Sequence, residues 1–237
     1  MKKRQNVHKS SDYFGALEQE YESPYDIGEL QIKDTIYVKY VKRVLDFLIS
    51  LIAVIVTLPI NAVIFFITLF SLGRPIFFIQ ERPGLGEKPF KIVKFRNMTN
   101  ERDENGKLLP PSERVTKLGS ILRKTSLDEL LQFWSIMMGK MSIIGPRPLL
   151  MNYLPKYSDN QHLRHSVRPG LECPLHDYDK EITWDDRLQN DIWYAENVSF
   201  KTDLIMFKRL LKLIFNKKRN DIRGGKIDME FNPTYKD

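Results

Sequence analysis

Residues 47–72 read FLISLIAVIVTLPINAVIFFITLFSL, twenty-six positions without one charged side chain. As a straight helix this stretch would measure about 39 Å at ~1.5 Å per residue, against a bilayer hydrocarbon core of ~30 Å. Helices of soluble domains rarely stay apolar on every face for so long, so the segment is expected to enter a membrane. Midway stands Pro59, whose ring and missing N–H bend a helix, with the polar Asn61 close by. Lys39, Lys42 and Arg43 precede the segment, and Arg74 and Lys88 follow it. A simple crossing prefers its basic flank on one side only. Two arrangements fit: a kinked single crossing, and a hairpin bent at Pro59 that leaves by the face it entered. In the hairpin, Thr57 or Asn61 would have to satisfy the carbonyls that the bend exposes.

Outward from the anchor, 237 residues leave room for one main domain. The formal charge of +7 calls for an anionic partner: nucleic acid, an acidic membrane surface or phosphorylated small molecules. No helix-turn-helix, zinc or aromatic RNA signature is present, so nucleic acid is not expected. Residues 1–40 hold six basic and seven acidic side chains, which puts the positive surplus in the remainder of the chain. They are expected to form a mobile extension with one short helix near residues 12–21. The single cysteine, Cys173, rules out an intrachain disulfide and has neither a CxxC partner nor a paired histidine. It is expected to be a small, partly buried side chain.

Beyond the anchor, Arg82, Pro83, Gly84, Leu85 and Gly86 read as a turn between extended runs at 76–80 and 90–95, followed by a polar loop at 102–111. Helices are expected at 112–124 and 126–138, with shorter pieces at 149–157 and 160–167. The stretch 203–217, DLIMFKRLLKLIFNK, places Leu204, Phe207, Leu211 and Ile214 on one face and basic residues elsewhere. A basic amphipathic helix of this kind suits the headgroup layer. The fold class is α+β, mostly helical, divided into extension 1–40, anchor 41–73, domain 74–218 and tail 219–237.

Candidate chemistry gathers around Thr125, Ser126, Leu127, Asp128 and Glu129. Ser126 as N-cap with Glu129 three residues on forms a capping box, which explains both without any function. Asp128 is left over. In a helix's first turn its ionised form is favoured, and an ionised carboxylate there can attack phosphorus or bind a divalent cation. Lys94, Arg96, Arg123 and Arg147 are the cations that could surround it. Prolines 146 and 148 hold the backbone about Arg147, which suits bidentate phosphate contact.

The segments KRVLDFLIS, PIFFIQERPGLGEKPFKIVKFRNM, LRKTSLDELLQFW, MSIIGPRPLL and LRHSVRPG, in this order, resemble the bacterial sugar transferases, the monotopic polyprenyl-phosphate phosphoglycosyl transferases. The likeness runs from about Val41 to Lys218. It implies a re-entrant helix-break-helix anchor with its break at Pro59, and a small catalytic domain on the cytoplasmic face of the inner membrane. It implies that Asp128 is a nucleophile at a Mg²⁺ site and that Glu129 is its metal-site or acid-base partner. Asp128 would take a sugar 1-phosphate from a UDP-sugar, release UMP, and pass the group to polyprenyl (undecaprenyl) phosphate, opening surface-glycan assembly. Lys94, Arg123 and Arg147 would bind phosphates, with Asp191 and Arg168 as further substrate or metal contacts. Membrane lipids and other glycan-assembly enzymes would be partners. One stretch departs from the pattern. After Arg168, Pro169 and Gly170 the family continues with a Gly-Trp pair and an Arg, whereas this chain reads Leu171, Glu172, Cys173, Pro174, Leu175, His176, Asp177, Tyr178. Donor contact is expected there, so a catalytically weak membrane scaffold is the alternative.

Overall fold

A computed structural model describes residues 30–173 and 183–214. The expected helix near 12–21, residues 174–178 of the departing stretch and the tail 219–237 lie outside the described residues.

The apolar run forms one helix, α1 (Lys42–Leu72), entered through a π-helical turn at Tyr37–Val41. Helical geometry continues through Pro59, so two helices separated by a break at that residue are not seen. Side chains meet the proline's local demands instead. Thr57 Oγ1 donates to the Ala53 carbonyl at 2.7 Å, and Asn61 Nδ2 reaches Thr57 Oγ1 at 3.4 Å. Such a backward hydroxyl bond bends a helix without ending it. Lys42, Asp46, Ser50, Val54, Asn61, Ile64 and Thr68 are buried, at spacings that keep them on one stripe. The other faces carry exposed Ile52, Ile55 and Phe70. Only 22% of the most apolar window is buried against the rest of the chain. A core helix of a soluble protein would be mostly buried; this one has the length, composition and exposure expected of a membrane anchor.

Both ends of α1 are tied to the domain. At the start, Arg43 donates to the carbonyls of Ile136 and Met137, 2.7 Å each, and the Ile143 N–H donates to Asp46 Oδ1 at 3.0 Å. At the end, Arg96 donates to the carbonyls of Leu72 and Gly73, satisfying acceptors that a helix terminus leaves open.

The remainder is mostly helical with two small sheets. β1 (Phe77–Pro83) and β2 (Pro89–Phe95) pair antiparallel, with Phe77 opposite Phe95 and Pro83 opposite Pro89; the turn lies at residues 84–88, later than the expected Arg82 to Gly86, because Arg82 and Pro83 are paired within β1. The helix expected at 112–124 is two pieces, α2 (Pro111–Arg114) and α3 (Lys117–Thr125), because Val115 bridges to Met98 and Thr116 caps α3 through Gly119 N–H. The helix expected at 126–138 begins later, as α4 (Gln132–Met137). β3 (Ser142–Ile144) and β4 (Gly170–Glu172) form a parallel pair that the sequence did not announce. 3₁₀ turns cover Met151–Lys156 and Asp159–Ser166. α5 (Trp184–Asn197), also unannounced, packs on the second of them, and α6 (Phe200–Ile214) follows.

The main core joins Ile92, Ile136, Met141, Ile143, Tyr194 and Met206 among others. A second cluster sits between anchor and domain: Ile64 of α1, Phe95 of β2 and Leu122 of α3, with Leu127, Leu130 and Leu131 packed against them. Each such buried side chain contributes about 1.5–3 kcal/mol. This cluster holds the segment carrying the acidic pair against the second half of the anchor.

Candidate active site

Asp128 and Glu129 lie on a single 3₁₀ turn, Leu127–Glu129, between α3 and α4. The expected capping box is absent. Ser126 adopts left-handed backbone (φ 59°, ψ 18°), its N–H closing α3 onto the Leu122 and Arg123 carbonyls, and its side chain makes no cap bond to the turn that follows. Ser126 thus ends one helix instead of starting the next. A one-turn 3₁₀ segment supplies little macrodipole, so what surrounds the two carboxylates must be found in other elements.

Both are buried, at 4% and 9% exposure. Glu129 Oε1 accepts from Lys94 Nζ at 2.6 Å and from Arg147 Nη2, two cations on one oxygen. Arg147 Nη1 also donates to the Leu171 carbonyl at 3.1 Å. Asp128 Oδ2 accepts from Asn97 Nδ2 at 2.8 Å. The pair thus divides as adjacent residues do when they face different ways: Glu129 toward cations, Asp128 toward an amide. Burial depresses the Lys94 pKa, opposed by Glu129 and reinforced by Arg147. Burial acts most strongly on Arg147 and would lower its pKa, but the carboxylates of Glu129, Glu172 and Asp128 together raise it.

Secondary structure explains the placement. Lys94 leaves β2 two residues after the buried Ile92, so strand alternation keeps both on one side of the hairpin. Arg147 follows β3, whose pairing with β4 fixes the Gly145 to Pro148 loop: a Cβ on Gly170 would lie 2.2 Å from the Gly145 nitrogen. Asn97 is met closely by α3, since a Cβ on Gly119 would lie 1.8 Å from the Asn97 carbonyl oxygen.

Lys94 and Arg147 are therefore brought to the pair. The other expected contacts are not. Arg123 is half-exposed on α3 and is not among the cations that pair with Glu129. Arg96 is taken by the anchor's last carbonyls. Arg168 Nε donates to the Gly139 carbonyl at 3.0 Å, at a position that Arg43 also packs against, near the start of the anchor. Asp191 is buried on α5 in an ion pair with Arg164 at 2.6 Å; burial raises its pKa while Arg164 opposes the rise. Its link to the site is indirect, because Arg164 Nη2 also donates to the Arg147 carbonyl at 2.7 Å. Cys173 is fully buried, with its thiol pKa pushed well up by burial, which suits a packing role.

Three side chains escaped the sequence reading. Asn97 stands in the quoted KFRNM segment, but an asparagine signals nothing alone. Arg82 and Gln132 line a cleft beside Glu129's two cations, together with Ile92, Lys94, Arg147, Pro148 and Leu149. In the sequence Arg82 stands out only as part of a turn.

No group of three or more His, Cys, Asp or Glu side chains arranged to hold a metal occurs among the described residues. Mg²⁺ does not require one, since it commonly takes one or two carboxylates and completes its shell with substrate phosphates and water. Asp128, a hard oxygen donor whose neighbouring carboxylate is already paired, fits that pattern.

A family model for bacterial sugar transferases matches residues 37–217. The chain belongs to that family. Among the sugar transferase's relatives is an uncharacterized sugar transferase, EpsL, of Bacillus subtilis (strain 168), 44% identical over 166 residues, covering 68% of this chain and 82% of the relative. A UDP-N-acetylgalactosamine-undecaprenyl-phosphate N-acetylgalactosaminephosphotransferase of Aeromonas hydrophila is 34% identical over 188 residues, 74% of this chain and 44% of the relative. A UDP-glucose:undecaprenyl-phosphate glucose-1-phosphate transferase of Klebsiella pneumoniae is 34% identical over 189 residues, 74% of this chain and 40% of the relative. The match thus spans most of EpsL but less than half of the two longer relatives.

Proposed function

We propose that this sugar transferase moves a sugar 1-phosphate from a UDP-sugar to polyprenyl phosphate, releasing UMP, at the cytoplasmic face of the inner membrane. The observation that carries the reading is the buried Asp128–Glu129 pair, with Lys94 and Arg147 on Glu129, packed against the membrane anchor. Relatives named for this reaction, with different sugars, support it and leave the sugar open.

Asp128 is the nucleophile. Its carboxylate oxygen attacks the β-phosphorus of the donor, the bond to the bridging oxygen breaks, and that oxygen leaves with UMP. A phosphate oxygen of the acceptor then attacks the same phosphorus, the acyl–phosphate bond breaks, and Asp128 is regenerated. Splitting the transfer lets a water-soluble donor and a lipid acceptor use one site in turn. Lys94 and Arg147 keep N–H donors beyond those given to Glu129, so they can bind phosphate oxygens while staying oriented by that carboxylate. Glu129 positions both cations. Bound at Asp128 and the donor phosphates, Mg²⁺ would supply further neutralisation of charge.

The anchor re-enters: both its ends lie on the cytoplasmic side. Support comes from Arg43 and Asp46 at one end and Leu72 at the other, all bonded to the same domain. The product is a lipid-linked diphosphate sugar, the starting point of a surface glycan.

Asp128→Asn tests the chemistry. It should reduce UMP release from a panel of UDP-sugars to background, while Glu129→Gln retains a fraction. Near-normal release by Asp128→Asn would remove the nucleophile assignment. Absence of UMP release by the unaltered protein with every donor would favour the scaffold.

A further inference from the structure

The cleft beside Glu129's cations has a ligand of its own to explain. It is open to solvent, with a cavity of about 80 Å³, and three of its seven lining residues are the cations Arg82, Lys94 and Arg147. Lys94 and Arg147 share the single carboxylate of Glu129. Arg82 has no carboxylate partner in the ion pairs of the described residues. It donates to Gln80 Oε1 at 2.6 Å and weakly to the Pro148 carbonyl at 3.4 Å, and its Nε is buried without a partner. A half-buried guanidinium with a shielded, unused N–H is costly unless something anionic arrives to meet it.

The order of bond changes says what that is. In a double displacement at one phosphorus, the departing and attacking oxygens lie roughly in line. With Asp128 as nucleophile, the first leaving group departs from the side opposite its oxygen. The acceptor must attack from that same side to expel Asp128. Both visitors carry the same chemistry next to the reacting atom, a phosphate monoester: UMP leaving, polyprenyl phosphate arriving. One subsite therefore has to serve both.

We propose that Arg82, with Lys94 and Arg147, forms this monoester-phosphate subsite, occupied first by the departing nucleoside monophosphate and then by the acceptor's phosphate. The inference rests on the transfer reaction proposed above. Gln80 aims the guanidinium from its own strand, and Pro148 and Leu149 give the cleft an apolar rim beside Ile92. Arg82 is a binding residue for both half-reactions rather than a clip between the hairpin and the Pro148 loop.

The test uses the full chain in lipid nanodiscs with UMP as the probe, followed by titration calorimetry. Arg82→Gln should weaken UMP binding by at least about tenfold, the loss of one charge-assisted contact, without a matching drop in melting temperature. Arg82→Lys, which keeps the charge but loses the fork, should fall between; it decides the matter if the glutamine variant does not fold. Doping the nanodiscs with undecaprenyl phosphate should weaken apparent UMP affinity in proportion to its content. Unchanged UMP affinity in the folded variants overturns the role of Arg82. UMP affinity indifferent to the lipid phosphate overturns the shared subsite. Failure of the unaltered protein to bind UMP at all overturns the transfer reading itself, and the subsite with it.

Discussion

Lys94 shows how one residue is tuned by its surroundings. Burial acts first on its ammonium and lowers the pKa, Glu129 opposes that effect, and Arg147 adds to it. The folded protein therefore gives up this proton at a lower pH than the unfolded chain does. In the window between the depressed value and the ordinary lysine value of 10.5, the unfolded state binds more protons, so stability rises with pH there while the site loses a phosphate-binding charge. UMP, whose phosphate is doubly ionised throughout that window because its second pKa is about 6, should bind progressively less well across it. Replacing Lys94 with Arg should move the alkaline fall in UMP affinity to higher pH. An unchanged alkaline limb would show that another group controls it. At this scale Lys94 and Arg147 were legible, since both are cations in motif segments. Asn97 and Arg82 were not, because their roles come from which neighbours the fold gives them. Arg123, though near Asp128 in sequence, is not part of Glu129's cation pair.

Among the elements, the hairpin of β1 and β2 was plain from its alternating runs and turn residues, and the apolar helix from its length. The acidic turn was read wrongly because Ser126 and Glu129 have the spacing of a capping box, whereas Ser126 closes α3 in left-handed backbone. β3, β4 and α5 escaped because three-residue strands carry too little periodicity to register, and α5 mixes polar and apolar residues around Asn190 and Asp191. These elements nevertheless set the site. α3 approaches the Asn97 carbonyl through Gly119, and Asn97 holds Asp128. Gly119→Ala forces a methyl group into space occupied by that carbonyl, which should cost about 1–3 kcal/mol of stability. It should also lower UMP release by more than an alanine elsewhere on α3's exposed face, such as at Ile121. Melting curves and turnover measured together check this; full activity at unchanged melting temperature would mean that α3 does not position the nucleophile's partner.

Seen whole, the molecule places a charged cleft next to a helix made for lipid. The cluster of Ile64, Phe95 and Leu122, with the leucines flanking Asp128 and Glu129, joins anchor and acidic turn. In the proposed reaction donor phosphates would arrive from water and the acceptor phosphate would lie at the headgroup level, so a site fixed beside the anchor could reach both. The sequence displayed the anchor but left its course open, because length and flanking charge describe a crossing and a hairpin almost equally. Contacts at both ends of α1 with the same domain are what favour re-entry. Single cysteines at Tyr40 and Arg74, both exposed, should accordingly react with a membrane-impermeant thiol reagent from the same side. Reaction from opposite sides would make α1 a crossing helix. The proposed reaction turns on one event, the transient bonding of a buried carboxylate to phosphorus as an acyl phosphate. Its most direct measurement is mass spectrometry of protein quenched with donor and Mg²⁺ but without acceptor. The sugar-phosphate mass is predicted on the peptide containing Asp128, absent in Asp128→Asn and discharged by polyprenyl phosphate; an adduct on another residue, or UMP release with no adduct at all, would contradict the account.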